Sequence, residues 1–66
     1  MSAKPVYVIN NPESVVEVFL NTQEETVIER KRLNGNRYKT YTYNMNDYME
    51  RNRHRAVYAY LQGALN

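Results

Sequence analysis

Four basic side chains flank a central Asn-Gly pair at a spacing that suits the binding of an anion. Asn34 and Gly35 both tolerate positive φ, so they are typical of the two-residue type I′ turn of a β-hairpin. With this loop Arg32 lies opposite Arg37, and side chains alternate along each strand. One face of the hairpin then carries four bases: Arg30, Arg32, Arg37 and Lys39. Since like charges on adjacent strands destabilise a sheet, this face is expected to meet solvent or a polyanion.

A second set of bases follows at Arg51, Arg53, His54 and Arg55. The sequence places this set in the first half of a predicted C-terminal helix. Positive charge near a helix N-terminus opposes the macrodipole, which favours anions there. A contact with phosphate would compensate for this conflict. Arg53 and Arg55 therefore join the hairpin bases in the candidate site.

Charge is unevenly distributed along the chain, although the net charge is only +2. Residues 1–29 carry one basic residue against five glutamates, whereas residues 30–66 carry eight basic residues against two acidic ones. Six of the seven tyrosines also lie in the basic half. Arginine with interleaved tyrosine is typical of nucleic-acid surfaces, because guanidinium groups pair with phosphates and rings stack on bases. Tyr38 and Tyr43 are the possible stacking residues, but Tyr43, like Tyr41, is expected to lie in the core rather than to form a stacking platform.

The hydrophobic pattern predicts an α+β fold, in which a small antiparallel β-meander packs one C-terminal helix on one face. Its predicted elements are strands 5–10, 14–20, 26–33 and 37–44 and the helix 48–62. The sequence Asp47-x-x-Glu50 resembles a capping box at the start of this helix, and Gly63 suits its C-terminal cap. The segment 14–20 is ambiguous, because Pro12 could also open a short helix. The alternative fold is therefore β-α-β-β-α.

The first strand has apolar residues on both faces, which suggests a central position or burial at a subunit interface. A chain of 66 residues is expected to form one small domain, residues 1–66, with a marginal core. It has no cysteine and a single histidine, so neither a disulfide framework nor the usual clustered zinc ligands are predicted, and no cofactor is expected. A homodimer would supply the missing support. No apolar run suits a signal peptide or a membrane span, so a cytoplasmic protein without membrane contact is expected.

These features together predict a non-catalytic protein that binds DNA or RNA. The candidate binding residues are Arg30, Arg32, Arg37, Lys39, Arg53 and Arg55, with Tyr38 and Tyr43 as stacking partners. The alternative is a small modulator of a larger enzyme or complex, which would bind an acidic protein surface or use its own acidic first half. An RNA-cleaving site built on His54 is chemically conceivable, but no catalytic motif supports it.

Overall fold

A computed structural model describes residues 4–33 and 37–65 and shows a four-stranded antiparallel sheet followed by two helices. The strands follow each other in the sheet in chain order, β1-β2-β3-β4. The α+β meander is therefore confirmed, and the segment 14–20 forms a strand rather than a helix. The elements are β1 Tyr7–Asn10, β2 Val15–Asn21, β3 Thr26–Leu33, β4 Arg37–Asn44, α1 Met45–Arg51 and α2 Ala56–Leu65.

Strand β1 lies at the edge of the sheet and pairs only with β2, so a central position was a wrong prediction. Its side chains are apolar on both faces for two different reasons. Tyr7 and Ile9 pack against the core beneath the helices, whereas Val8 points to the other face and is 40% exposed. The apolar residues on both faces of β1 therefore reflect one face that the helices cover and one apolar face that carries no helix.

The core lies between one face of the sheet and the two helices. Val18 of β2 and Val27 of β3 are fully buried, and Tyr48, Val57 and Leu61 of the helices pack on them. We call the face of the sheet that carries Val18 and Val27 the helix-side face. Since both helices lie on it, the opposite face carries no helix within the described part of the chain, and we call it the open face. The shortest dimension of 17 Å fits such a two-layer arrangement.

Strand β4 passes directly into helix α1 at Asn44, which is the N-cap. Its side-chain Oδ1 accepts hydrogen bonds from the backbone N–H groups of Asn46 at 2.9 Å and Asp47 at 3.4 Å. The predicted capping box at Asp47 is therefore wrong, because Asn44 satisfies the first helical N–H groups three residues earlier. The Met45 N–H also donates to the Glu25 carbonyl at 2.9 Å, which ties the junction to the β2–β3 turn.

The predicted continuous helix 48–62 is instead two helices with a turn between them. The break occurs at Asn52, a buried polar residue whose backbone N–H and side-chain Nδ2 both donate to the Tyr48 carbonyl, at 3.0 and 2.8 Å. Its own carbonyl accepts from the Arg55 N–H at 2.9 Å. The backbone bond is the last α-helical bond of α1, whereas the Asn52 side chain and the three-residue bond from Arg55 end the helix and turn the chain, so that α2 packs back on the sheet. Gly63 lies inside α2 and does not end it.

This break changes the meaning of the second basic set. Arg51 lies in the last turn of α1, where positive charge is favourable. Arg53 and His54 lie in the connecting turn, and Arg55 immediately precedes α2. The predicted conflict with the helix macrodipole is therefore absent at Arg51 but remains at Arg55, which lies at the N-terminus of α2, and the basic first half of one continuous helix was a wrong description. In the described chain, no helix is long and apolar enough to cross a membrane.

Tyr48 links helix α1 to the sheet through its hydroxyl group, which donates to Glu29 Oε2 at 2.7 Å. Its side chain is almost fully buried. Burial and the neighbouring Glu29 carboxylate both raise the pKa of Tyr48 well above its ordinary value of 10. The neutral phenol is thus the form that the folded state favours.

Replacing Tyr48 with phenylalanine should lower stability at neutral pH by about 1 to 3 kcal/mol, since Glu29 loses its donor. Because the folded-state pKa of Tyr48 is raised, its contribution is complete below the unfolded-state pKa of 10 and is lost as pH rises through the folded-state value. Above pH 10 the free energy of unfolding of the wild type should fall by up to about 1.4 kcal/mol per pH unit. The variant has no hydroxyl group at this position, so its free energy of unfolding should not show this fall. Urea unfolding at a series of alkaline pH values checks this. If the difference in free energy of unfolding between the two proteins stays constant above pH 10, the prediction is wrong.

Candidate nucleic-acid interface

The register of the β3–β4 hairpin differs by one residue from the predicted one. Leu33 pairs with Arg37, so three residues separate the strands, and the predicted Asn34-Gly35 turn lies outside the described residues. A shift of one residue moves one strand's side chains to the other face relative to its partner. The four predicted bases are therefore divided between the two faces, and their placement on one face was wrong.

The observed register has a physical cause in the core. It places Tyr43 of β4 opposite Val27 of β3, so that both side chains point to the helix side of the sheet. The Tyr43 ring then packs on Tyr48, with 5.4 Å between the ring centroids. In the predicted register Tyr43 would face away from Val27, and this aromatic area would be lost to the core.

Arg30 and Arg32 lie on the open face, where Arg30 is held by other side chains. Its Nε and Nη2 donate to Glu17 Oε1 at 3.0 and 2.8 Å. Its guanidinium also lies 5.3 Å from the ring centroid of Phe19 and 4.9 Å from that of Tyr38. These contacts give Arg30 a structural role in the sheet, and its charge is balanced by Glu17. Arg32 lies opposite Tyr38 and is exposed.

Arg37 and Lys39 lie on the helix-side face, beyond the part that the helices cover. Lys39 pairs with Lys31, which the sequence analysis did not include in the site. Arg37 lies beside a shallow cleft that it lines with Pro12, Glu13 and Leu33. Two lysines directly opposite each other repel, and a bound anion would relieve that repulsion.

A groove of about 550 Å³ connects these hairpin bases to the start of helix α2. Its floor crosses the strands, because Ile9 pairs with Val16 and Val16 pairs with Lys31. Arg55, Ala56 and Val57 line it from the helix side. The groove exists because the turn at Asn52 sets α2 over β1, while α1 packs on β3 and β4 nearer their other end, and the end of the sheet with Lys31 and Lys39 stays uncovered.

The electrostatics of the groove favour an anion. Lys31 and Arg55 line it, and Lys39 lies next to Lys31 across the sheet. Glu29 is the acidic residue in the lining, and its carboxylate already accepts the Tyr48 hydroxyl. Arg55 Nη1 donates to Asn52 Oδ1 at 3.3 Å, an uncharged partner that orients the guanidinium without neutralising it.

The predicted positions of the tyrosines are correct in part. Tyr41 was expected in the core, but it is 41% exposed and lines the groove, with its ring 6.5 Å from that of Tyr43. Tyr43 packs against the core, as expected, and is therefore not a stacking platform. Tyr38, the other candidate, is exposed on the open face, away from the groove. Tyr7 also lines the groove, although the sequence analysis treated it only as a strand residue.

Arg53 does not line the groove and forms an exposed ion pair with Glu50, at 3.6 Å. Such exposed pairs contribute little to stability. Of the predicted basic residues, Arg55 lines the groove, Lys39 lies opposite the groove residue Lys31, and Arg37 lies at the same end of the sheet as Lys39. Lys31 could have been found from the predicted strand limits, because strands 26–33 and 37–44 leave three residues between them and place Lys31 opposite Lys39.

Among residues 4–33 and 37–65, no three His, Asp or Glu side chains are grouped so that they could hold a metal ion. His54 is exposed in the turn between the helices. Comparisons of the chain with known protein families, curated proteins and solved structures gave no match.

Proposed function

We propose that the protein binds nucleic acid without catalysis, through the groove between the hairpin end of the sheet and the start of helix α2. The observation that supports this most is that Lys31 of β3 and Arg55, next to α2, line one groove beside the exposed ring of Tyr41, with Lys39 of β4 directly opposite Lys31. Basic residues from separate parts of the chain that lie side by side form a patch that can contact successive phosphates. Arg37 extends the patch along the hairpin.

The exposed ring of Tyr41 favours an unpaired strand over a duplex. Tyr41 is accessible from the groove, whereas Tyr7 also lines the groove but packs against the core and Tyr60. An exposed ring can stack on any base, and such stacking contributes about 1 to 3 kcal/mol per base. In a duplex the bases are already stacked on each other, so this ring would have nothing to bind. We therefore expect single-stranded DNA or RNA to bind more tightly than a duplex of the same length.

Fluorescence anisotropy with labelled single-stranded DNA, single-stranded RNA and duplex DNA tests the proposal. Four phosphate contacts, from Lys31, Arg37, Lys39 and Arg55, should give a log–log dependence of affinity on salt with a slope of about −3 for a single strand. Absence of binding to all three at about 50 mM salt would contradict the proposal, since even non-specific electrostatic binding appears there. The same bases would then be assigned to an acidic protein surface, which co-purification after nuclease treatment would identify.

A further inference from the structure

The open face of the sheet carries five apolar side chains and has no helix on it in the described part of the chain. Its members come from all four strands and point away from Val18 and Val27. Two of them are strongly exposed, Val8 at 40% and Tyr38 at 48%. The apolar members are Val8, Val15, Phe19, Ile28 and Tyr38, and exposed threonines at 40 and 42 continue the surface along β4.

The centre of this face is electrically neutral, because Glu17 and Arg30 pair with each other between the apolar side chains. Arg30 is held by Glu17 and by the rings of Phe19 and Tyr38, so the centre of the face offers no free positive charge for a phosphate. An ion pair that is already satisfied by hydrogen bonds can instead be covered by a protein surface without leaving a single charge unpaired. The chemistry of the face thus favours a protein partner.

The two ends of the face carry opposite charges. Glu24 and Glu25 lie in the turn between β2 and β3, whereas Arg32 lies on the open face at the other end of β3, next to the β3–β4 connection. A second copy turned end for end would place its acidic turn over the basic hairpin end of the first, and two-fold symmetry would form this contact twice. A copy in the same direction would place like charges together. The charge pattern is therefore complementary to itself in one orientation.

We propose that two copies of the chain pack through their open faces as a two-fold symmetric β-sandwich, with the strands of the facing sheets running in opposite directions. Sheets stack in this way at about 10 Å separation, with side chains interdigitating between them. The described chain extends 36 by 29 Å in its two long dimensions, which is enough for the about 800 Å² per partner of a standard stable interface. The paired faces would form a second core beside the small one under the helices.

Sedimentation equilibrium over a micromolar concentration series tests the proposal, with a matched pair of tyrosine variants. Tyr38 and Tyr60 are almost equally exposed, at 48% and 49%, but Tyr60 lies on helix α2 on the other side of the sheet. The wild type should approach twice 7.9 kDa. Tyr38→Lys should weaken the dimer at least about tenfold, because it places a charge in a desolvated contact, whereas Tyr60→Lys adds the same charge and should not.

Thr40→Lys provides a second test that removes no packed side chain, since Thr40 is exposed on the open face. It should also weaken the dimer. A wild type that stays at 7.9 kDa, or a dimer that both open-face variants leave intact, would overturn the proposal. Added salt should weaken the dimer, and strengthening by salt would overturn the end-for-end arrangement. The proposal does not rest on nucleic-acid binding, and both open-face variants leave the groove bases in place.

Discussion

Replacing Tyr48 with alanine is expected to unfold a large fraction of the protein at room temperature. Tyr48 is 1% exposed, and its ring contacts Tyr43 while its hydroxyl group binds Glu29. Truncating a buried aromatic side chain costs about 3 to 5 kcal/mol. A domain of this length has a total stability of roughly 3 to 10 kcal/mol, so the loss removes much or all of it. Urea unfolding followed by circular dichroism at a fixed protein concentration measures the change.

Tyr60→Ala is the matched control for this experiment. It removes the same side chain from helix α2, where Tyr60 is 49% exposed and contacts Tyr7 with 5.3 Å between ring centroids. An aromatic pair of this kind contributes about 0.5 to 1.5 kcal/mol, so the variant should remain folded. Equal losses for the two alanine variants would contradict the assignment of Tyr48 to the core.

The second large effect is expected on binding, from the combined replacement of Lys31, Lys39 and Arg55 with glutamine. Glutamine keeps an aliphatic stem and a polar end but removes the charge, so each change should preserve the packing while abolishing a phosphate contact. Loss of three contacts should make the slope of log affinity against log salt less negative by about two units for a single strand. It should also weaken binding about 100-fold at about 0.1 M salt. Anisotropy titrations at several salt concentrations measure both quantities.

A control with the same loss of charge separates the groove from the net charge of the protein. Lys4, Arg51 and Arg53 are all exposed, and none of them lines the groove. Their replacement with glutamine lowers the net charge equally and should leave the slope nearly unchanged. It also tests Arg53 directly, which the sequence predicted as a contact. A greater loss of affinity for this control than for the groove variant would contradict the proposed site.

The strands could be predicted because the residue patterns that favour a strand extend over only a few neighbouring positions. Alternating β-branched and aromatic residues bounded by polar turns gave β3 and β4 with the limits that the structure shows. The charge asymmetry and the basic hairpin end were equally visible. These properties depend on residue type and on position along the chain, and tertiary contacts do not alter them.

The pairing register and the helix break could not be predicted in the same way, because both depend on tertiary contacts. The register depends on whether Tyr43 or its neighbours share a face with Val27, and a one-residue difference in loop length reverses that choice. The break depends on Asn52, whose hydrogen bonds to the Tyr48 carbonyl form while α2 folds back onto the sheet. Nothing in a helical repeat of apolar residues distinguishes this asparagine from one on a helix surface.

The contact of helix α2 with strand β1 joins elements from opposite ends of the described chain, whereas every strand pair joins neighbours. Closing so long a loop has the greatest entropic cost in the fold, so this contact is expected to form last in folding and to open first. Tyr7 and Ile9 of β1 and the start of α2 line the groove together. Val57 and Leu61 of α2 also belong to the core, so opening of β1 and α2 would expose that core as well as dismantle one side of the groove. A ligand bound in the groove would therefore also stabilise the folded state.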